Sequence, residues 1–372
     1  MIIGIPKEIK ENEFRVAVIP QNAKEYIDNG HTVYVEKDAG VGAGYSDDEY
    51  SAIGAKIVET PSELYILSDM IVKVKEPQPQ EFNYIKHGQI IFAYFHLASS
   101  KKITMNLLEK QVISIAYETI TDENKNLPCL KPMSEIAGRL AIQEGAKYLE
   151  KTYGGRGILI GGISGIEPAK VLVLGASGVV GSTATKTALE LGAEVTGIVR
   201  TEQQVQILYE KYGGKVKACI GNTENIVNCL MSADLVISGV LIPGEKAPKL
   251  IKREYLSKMK SGSVIVDVSI DQGGVADSSR PTTHNDPIYV VDDIVHYCVA
   301  NMPGAVPRTS SVALSQSTTP YGLILATKGV KKAMKEDRNL LNGLNTIGGK
   351  ITILSLATSY DLPYIELARA FD

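Results

Sequence analysis

Apolar residues fall along this chain in two rhythms. Short, densely apolar runs at Met1–Pro6, His31–Glu36, Asp69–Lys75, Ile90–Leu97 and Val112–Glu118 predict strands in the first third. Pro20–Asn29 and Lys101–Lys110 carry apolar positions at helical spacing and predict helices between them. Such alternation predicts an α/β unit with a largely parallel sheet. A longer helical pattern runs from about Met133 to Thr152, with Ile136, Leu140, Ala141, Ala146 and Leu149 near helical spacing and Gly154-Gly155 as its stop. After the glycine-dense stretch Gly161–Gly165 a second series of strands begins: Lys170–Leu174, Ala193–Val199, Lys215–Ile220, Asp234–Val240, Ser263–Ile270 and Pro287–Val291. These are apolar almost throughout, as expected when helices cover both faces of a parallel sheet. From Pro307 the pattern returns to helix, Thr309 to about Lys335, and Pro363–Phe371 reads as another short one.

With 372 residues, 44% hydrophobic and 22% charged, the chain has the size for two domains and the composition to bury a core in each. A formal net charge of -3 points away from nucleic acid and anionic membrane surfaces as partners. The first apolar run is broken by Lys7, Glu8 and Lys10, which does not fit a signal sequence, and no uninterrupted apolar stretch is long enough to span a bilayer. Cys129, Cys219, Cys229 and Cys298 are scattered, so they read as core thiols of a cytoplasmic protein in a reducing compartment. His31, His87, His284 and His296 read as surface or core histidines, and no metal-site spacing is present.

The strongest local motif is Val171-Leu172-Val173-Leu174-Gly175-Ala176-Ser177-Gly178-Val179-Val180-Gly181, an apolar strand entering three glycines and then a helix rich in Ala and Thr. Gly175 suits a tight turn, Gly178 lets the backbone approach a pyrophosphate, and Gly181 lets the helix pack close to the sheet. The helix N-terminus then offers N–H groups and positive dipole to phosphates. The fold class is α/β, with a Rossmann dinucleotide-binding domain of residues 128–306 inserted into a discontinuous, Rossmann-like α/β substrate domain of residues 1–127 and 307–372. At the end of the next strand, where an NAD enzyme wants an acid for the ribose 2′-hydroxyl, stand Val199 and Arg200. Loss of the acid and gain of planar donors tips the reading of the cofactor from NAD(H) toward NADP(H).

Several polar groups lie where predicted strands meet loops: Arg15 before Val16–Ile19, Lys75 before Glu76-Pro77, and His96 beside Tyr94. Asp267, inside an apolar strand, reads as a hydrogen-bonded structural acid. The surrounding motifs resemble the alanine dehydrogenase family in order along nearly the whole chain. They are Gly4-Ile5-Pro6-Lys7-Glu8 with Arg15-Val16-Ala17, Val72-Lys73-Val74-Lys75-Glu76-Pro77, His96-Leu97-Ala98, Pro132-Met133-Ser134-Glu135-Ile136-Ala137-Gly138-Arg139, and Leu241-Ile242-Pro243-Gly244. The last two are Ile270-Asp271-Gln272-Gly273-Gly274 and Asn301-Met302-Pro303-Gly304-Ala305-Val306-Pro307-Arg308-Thr309-Ser310.

That resemblance implies reversible, nicotinamide-dependent oxidative deamination of L-alanine to pyruvate and ammonia in a homohexamer. It implies that Arg15 and Lys75 hold the substrate's carboxylate and its oxo or amino end, that His96 is the general acid and base, and that Asp271 helps activate water. Tyr94, Met133 and Asn301 then line the substrate pocket, while Ser134, Gly175, Ser177, Gly178, Val180, Gly181, Val199, Arg200, Asp271, Asn301 and Met302 meet the cofactor. The residue types suit the chemistry: an imidazole of pKa ~6.5 shuttles protons near neutrality, and a guanidinium grips a carboxylate bidentately. The family's default cofactor is NAD(H), and the GxxGxxG spacing and Arg200 are the departures. Two other readings remain open at this point, a soluble nucleotide-binding subunit of a proton-translocating transhydrogenase and a saccharopine-type dehydrogenase.

Overall fold

A computed structural model describes residues 1–240 and 246–371. The motif Leu241-Ile242-Pro243-Gly244 therefore lies outside the described residues. The chain divides into two compact units, residues 1–133 together with the segment from Gly304 onward, and residues 134–303. The strands in chain order are β1 (Ile2–Ile5), β2 (Thr32–Glu36), β3 (Lys56–Val58), β4 (Met70–Val72), β5 (Ile90–Ala93), β6 (Ile113–Ala116), β7 (Lys170–Leu174) and β8 (Glu194–Val199). They continue with β9 (Val216–Ile220), β10 (Leu235–Ser238), β11 (Val264–Asp267), β12 (Ile288–Val291), β13 (Ile294–Tyr297), β14 (Leu344–Ile347) and β15 (Lys350–Ile351).

In the first unit the sheet order is β15-β14-β6-β5-β4-β1-β2-β3. β1 to β6 are mutually parallel, and the returning chain adds β14 antiparallel to β6. The sheet reverses its direction of growth between β1 and β4, which makes their carboxyl ends the topological switch point. Ile71, Ile91, Ala93 and Ala116 on one face pack with Leu64, Leu107 and Leu356 from covering helices. The second unit repeats the plan as β12-β13-β11-β10-β7-β8-β9, parallel except for the β12–β13 hairpin at one edge. Leu172, Leu174, Val236 and Ile265 form its core with Ile226, Leu230 and Leu256.

Several strands end earlier than their apolar runs. β4 stops at Val72, because the Val74 N–H turns to the Glu8 carboxylate, 2.7 Å away. β5 stops at Ala93, since both the Phe95 and His96 N–H groups are taken by Glu118 and His96 enters the left-handed region at φ 45°. β11 stops at Asp267, whose carboxylate turns the next residues into a 3₁₀ helix, Val268–Gln272.

The helix expected from Thr309 to Lys335 is two, Pro307–Lys328 and Val330–Glu336, broken at Gly329 with φ 74°. The expected helix at Pro363–Phe371 is a single 3₁₀ turn, Leu367–Arg369. Ahead of it the tail runs beside β15, with Ile351 N donating to Pro363 O at 2.8 Å and Ile365 N to Ile351 O at 2.9 Å. Backbone groups used in that pairing cannot close a helix.

Candidate functional site

In the first unit the residues singled out by the sequence follow the carboxyl ends of neighbouring strands. Arg15 comes after β1, Lys75 after β4, and Tyr94 and His96 after β5, all in the region where crevices form in open α/β sheets. Arg15 is 2% exposed and does not present a bare fork. Its Nε and Nη2 donate to the two Glu13 carboxylate oxygens at 2.6 and 2.5 Å, and Nη1 lies 3.2 Å from Met133 Sδ. Burial works against the guanidinium charge, but Glu13 more than offsets it and holds the group above its ordinary value.

The His96 ring is half exposed and stacks on Tyr94, with centroids 5.8 Å apart and planes 6° from parallel. The stack is held from both sides. Tyr94 donates its hydroxyl to the Cys129 carbonyl at 2.6 Å, and Glu118 accepts from His96 N at 2.6 Å and lies 3.9 Å from Nδ1. Tyr94 is thus a buried platform whose hydroxyl is engaged by the backbone, and burial raises its phenol well above the ordinary range. Sequence reasoning missed Glu118 and Glu13. Glu13 was within sight as an acid two residues from Arg15, whereas nothing in the sequence ties Glu118 to His96.

Lys75 is 9% exposed, in a loop fixed by a buried ion cluster that the sequence reading also missed. Lys73, fully buried, donates to Glu81 at 2.7 Å and stands 3.4 Å from Glu8 Oε2, while Tyr65 donates to Glu81 at 2.8 Å. Burial, reinforced by Glu81 and Glu13 and opposed by Lys73, pushes the Glu8 carboxyl from 4.5 up to about 7. Between those values the folded chain holds a proton that the unfolded chain has released, so this group's contribution to stability falls as pH rises through about 7. The slope for one proton is at most about 1.4 kcal/mol per pH unit. Urea unfolding from about pH 5 to about pH 8 is expected to show this decline, and Glu8→Gln to flatten it. An unchanged slope in Glu8→Gln would clear Glu8 of the effect.

The second unit also gathers its marked residues after strand ends. Gly175 follows β7 with φ 79°, and an added Cβ would sit 3.0 Å from the Gly239 carbonyl. A Cβ on Gly181 would sit 2.2 Å from the Gly175 carbonyl, so the helix Val179–Glu190 starts hard against the loop. Gly178 is the N-cap of that helix, with no side chain capping it, and its own Cβ position has nothing nearer than 3.5 Å. Ser177 and Gly178 are exposed, with Val180 half-buried behind them. This is a cradle without side chains at a helix N-terminus, and it fits a pyrophosphate.

Val199 ends β8 buried, and exposed Arg200 follows with its N–H held by Gln204 at 3.0 Å. Asp271 is exposed on the 3₁₀ helix after β11. Asp267 holds that turn as the buried structural acid its sequence context predicted. Its carboxylate accepts from Ser238 at 2.5 Å, Ser269 N at 3.1 Å, Val275 N at 2.8 Å and Ser279 at 2.6 Å. Asn301, in the left-handed region at φ 60°, and buried Met302 follow β13, and Ser134 is half-buried in the first turn of the helix Lys131–Tyr148. Among the described residues no group of three or more His, Cys, Asp or Glu could hold a metal ion, and no helix is long and apolar enough to cross a membrane.

Known proteins follow the same outline. The family model described as "Alanine dehydrogenase/PNT, N-terminal domain" matches residues 4–137, and "Alanine dehydrogenase/PNT, C-terminal domain" matches residues 141–353. A protein named alanine dehydrogenase from Methanococcus maripaludis is 48% identical, with 100% of each chain covered. One of the same name from Halomonas elongata is 47% identical, with 99% of each covered. A solved L-alanine dehydrogenase is similar with a TM-score of 0.92 and 42% identity, covering 97% of this chain and 99% of that one. A transhydrogenase from Sinorhizobium meliloti, at 24% identity and a TM-score of 0.80, covers 95% of this chain and 100% of its own, and shares the fold.

Proposed function

The chain belongs to the alanine dehydrogenase/PNT family, and on that premise we propose that it is an alanine dehydrogenase, an oxidoreductase that reversibly converts L-alanine and water to pyruvate and ammonium with a nicotinamide dinucleotide. The observation that carries this reading is likeness to alanine dehydrogenases over the full length of the chain. The Arg15, Lys75 and His96 motifs of the first unit support it.

The loop Gly175–Gly181, Val199, Arg200 and the segments around Asn301 and Ser134 are the residues that would hold the dinucleotide, which when bound accepts the hydride released from Cα. Arg15, its guanidinium held by Glu13 and lying against the Met133 thioether, is assigned the orientation of the substrate carboxylate. Lys75 stabilises negative charge on the substrate's oxo end. His96 takes a proton from the water that adds to the imine carbon and returns one to the departing amine, with Tyr94 and Glu118 fixing its ring. Asp271 is assigned the orientation of that water. The same groups run the reverse direction, reductive amination of pyruvate, and we assign a homohexameric, cytoplasmic assembly by the same family likeness.

A steady-state comparison of purified protein with both dinucleotides against a panel of small amino and oxo acids tests the proposal. Turnover of L-alanine, and of pyruvate with ammonium, is the expected result. Turnover confined to lysine with 2-oxoglutarate, or none with any amino acid, would overturn it.

For the cofactor we favour NADP(H). Support comes from an exposed Arg200 where an acid would repel a 2′-phosphate. A charge-assisted contact of about 1.5–3 kcal/mol corresponds to roughly a 10- to 100-fold preference. Arg200→Ala is expected to raise KM for NADPH by about that factor and to leave KM for NADH nearly unchanged. Equal changes for the two would show that Arg200 does not meet the phosphate.

A further inference from the structure

The four cysteines do not share one environment. Cys129 and Cys298 are buried, whereas Cys219 and Cys229 are half-buried, and this corrects the expectation that all four are core thiols. Cys219 lies on β9, in register with Ile198 of β8, and Cys229 lies on the helix Thr223–Ser232 that follows directly. The turn between them is fixed by Gly221 N donating to Val199 O at 2.8 Å and by Asn222, whose side chain caps the helix. On its inner face that helix is anchored by buried Ile226 and Leu230. Strand, turn and helix therefore hold the two sulfurs 3.9 Å apart.

Beside the sulfurs opens a groove of about 350 Å³ lined by Lys170, Glu194, Thr196, Lys217, Cys219 and Cys229, with Lys217 and Glu194 ion-paired across it. A small solute in that groove reaches the sulfur pair, whereas Cys129 and Cys298 are closed off by the folds around them.

We propose that Cys219 and Cys229 are a dithiol modification site that hydrogen peroxide or a small organic hydroperoxide converts to an intramolecular disulfide. In the first step the Cys219 sulfur attacks a peroxide oxygen and the O–O bond breaks. Water or an alcohol leaves with the thiol proton, and Cys219 becomes a sulfenic acid. In the second, the Cys229 sulfur attacks the Cys219 sulfur, the S–O bond breaks, and water departs with the Cys229 proton. The two thiols together lose the two electrons that the peroxide gains. Closure brings the sulfurs from 3.9 Å to about 2.05 Å. Burial, with Cys219 beside it, raises the Cys229 thiol above its ordinary range, and it is the 3.9 Å proximity of the two sulfurs that makes Cys229 the resolving thiol, losing its proton as it attacks.

The test is oxidation of the reduced, full-length protein with hydrogen peroxide, followed by intact mass and a non-reducing peptide map. The expected result is loss of two hydrogen atoms per chain and a Cys219–Cys229 linked peptide pair, reversed by dithiothreitol and absent in Cys219→Ser and Cys229→Ser. The wild-type map alone decides the matter if either variant fails to fold. No linked pair, oxygen retained on one cysteine without a link, or links through Cys129, Cys298 or a second chain would each overturn the proposal.

Discussion

His96→Ala is expected to lower kcat for L-alanine by about 10²- to 10⁴-fold, the range over which a positioned general acid and base acts. Dinucleotide affinity should stay in place. The expectation rests on what the residue does not hold together. Its ring is half exposed and stacks on Tyr94, but Tyr94 is fixed independently through the Cys129 carbonyl. The backbone at residue 96 is fixed by Glu118, a bond that survives the substitution. What disappears is the imidazole to which proton transfer is assigned.

The backbone conformation calls for a second variant. At φ 45° an alanine sits in the left-handed region at a cost of about 1–2 kcal/mol, whereas asparagine tolerates it and still cannot shuttle protons near neutral pH. His96→Asn should therefore match His96→Ala in kcat with less loss of stability. Steady-state kinetics and fluorescence titration with reduced dinucleotide check both. An unaltered kcat in either variant removes His96 from proton transfer.

The layered α/β plan was legible because buried parallel strands leave dense apolar runs, and β7 matches its predicted span residue for residue. The ends of the strands were not legible. At β4, β5 and β11 the backbone N–H groups at or just past the strand end are taken by a carboxylate distant in sequence or folded back on its own turn, from Glu8, Glu118 and Asp267 respectively. An apolar pattern carries no information about where such a side chain will land. Short elements were missed for another reason. The helix Asp47–Ala52 has a capping box, Ser46 with Glu49, and Pro61–Leu67 starts behind a capping Thr60, but neither is long enough to show periodicity. Local capping signals were present and outweighed by the weaker apolar pattern.

The candidate site divided in the same way. Arg15, Lys75 and His96 were visible as polar groups beside apolar runs, but their assigned roles came from the motifs shared with the alanine dehydrogenase family. Residues that act by holding others, such as Glu13, Glu118 and the Lys73–Glu8–Glu81 cluster, have no sequence signature apart from the partners the fold gives them.

Arg15→Ala is expected to have two separable effects, because the guanidinium is paired with Glu13 and is also assigned the substrate carboxylate. Glu13 is buried at 5% exposure and Arg15 at 2%, and their paired contact places one carboxylate and one guanidinium together out of water. Removing the cation leaves the Glu13 charge buried without it, a loss of about 3–5 kcal/mol in unfolding free energy. Adding Glu13→Gln removes that buried charge and should restore most of that stability, since a buried ion pair as a whole adds little over neutral packing. Substrate affinity should not follow. A lost charge-assisted contact of about 1.5–3 kcal/mol predicts a rise in KM for L-alanine of roughly 10- to 100-fold in Arg15→Ala and in the double variant alike. Denaturant unfolding and steady-state kinetics on the two variants read the effects apart. If the double variant regains both stability and the wild-type KM, Arg15 serves only to neutralise Glu13, and the substrate carboxylate is held elsewhere.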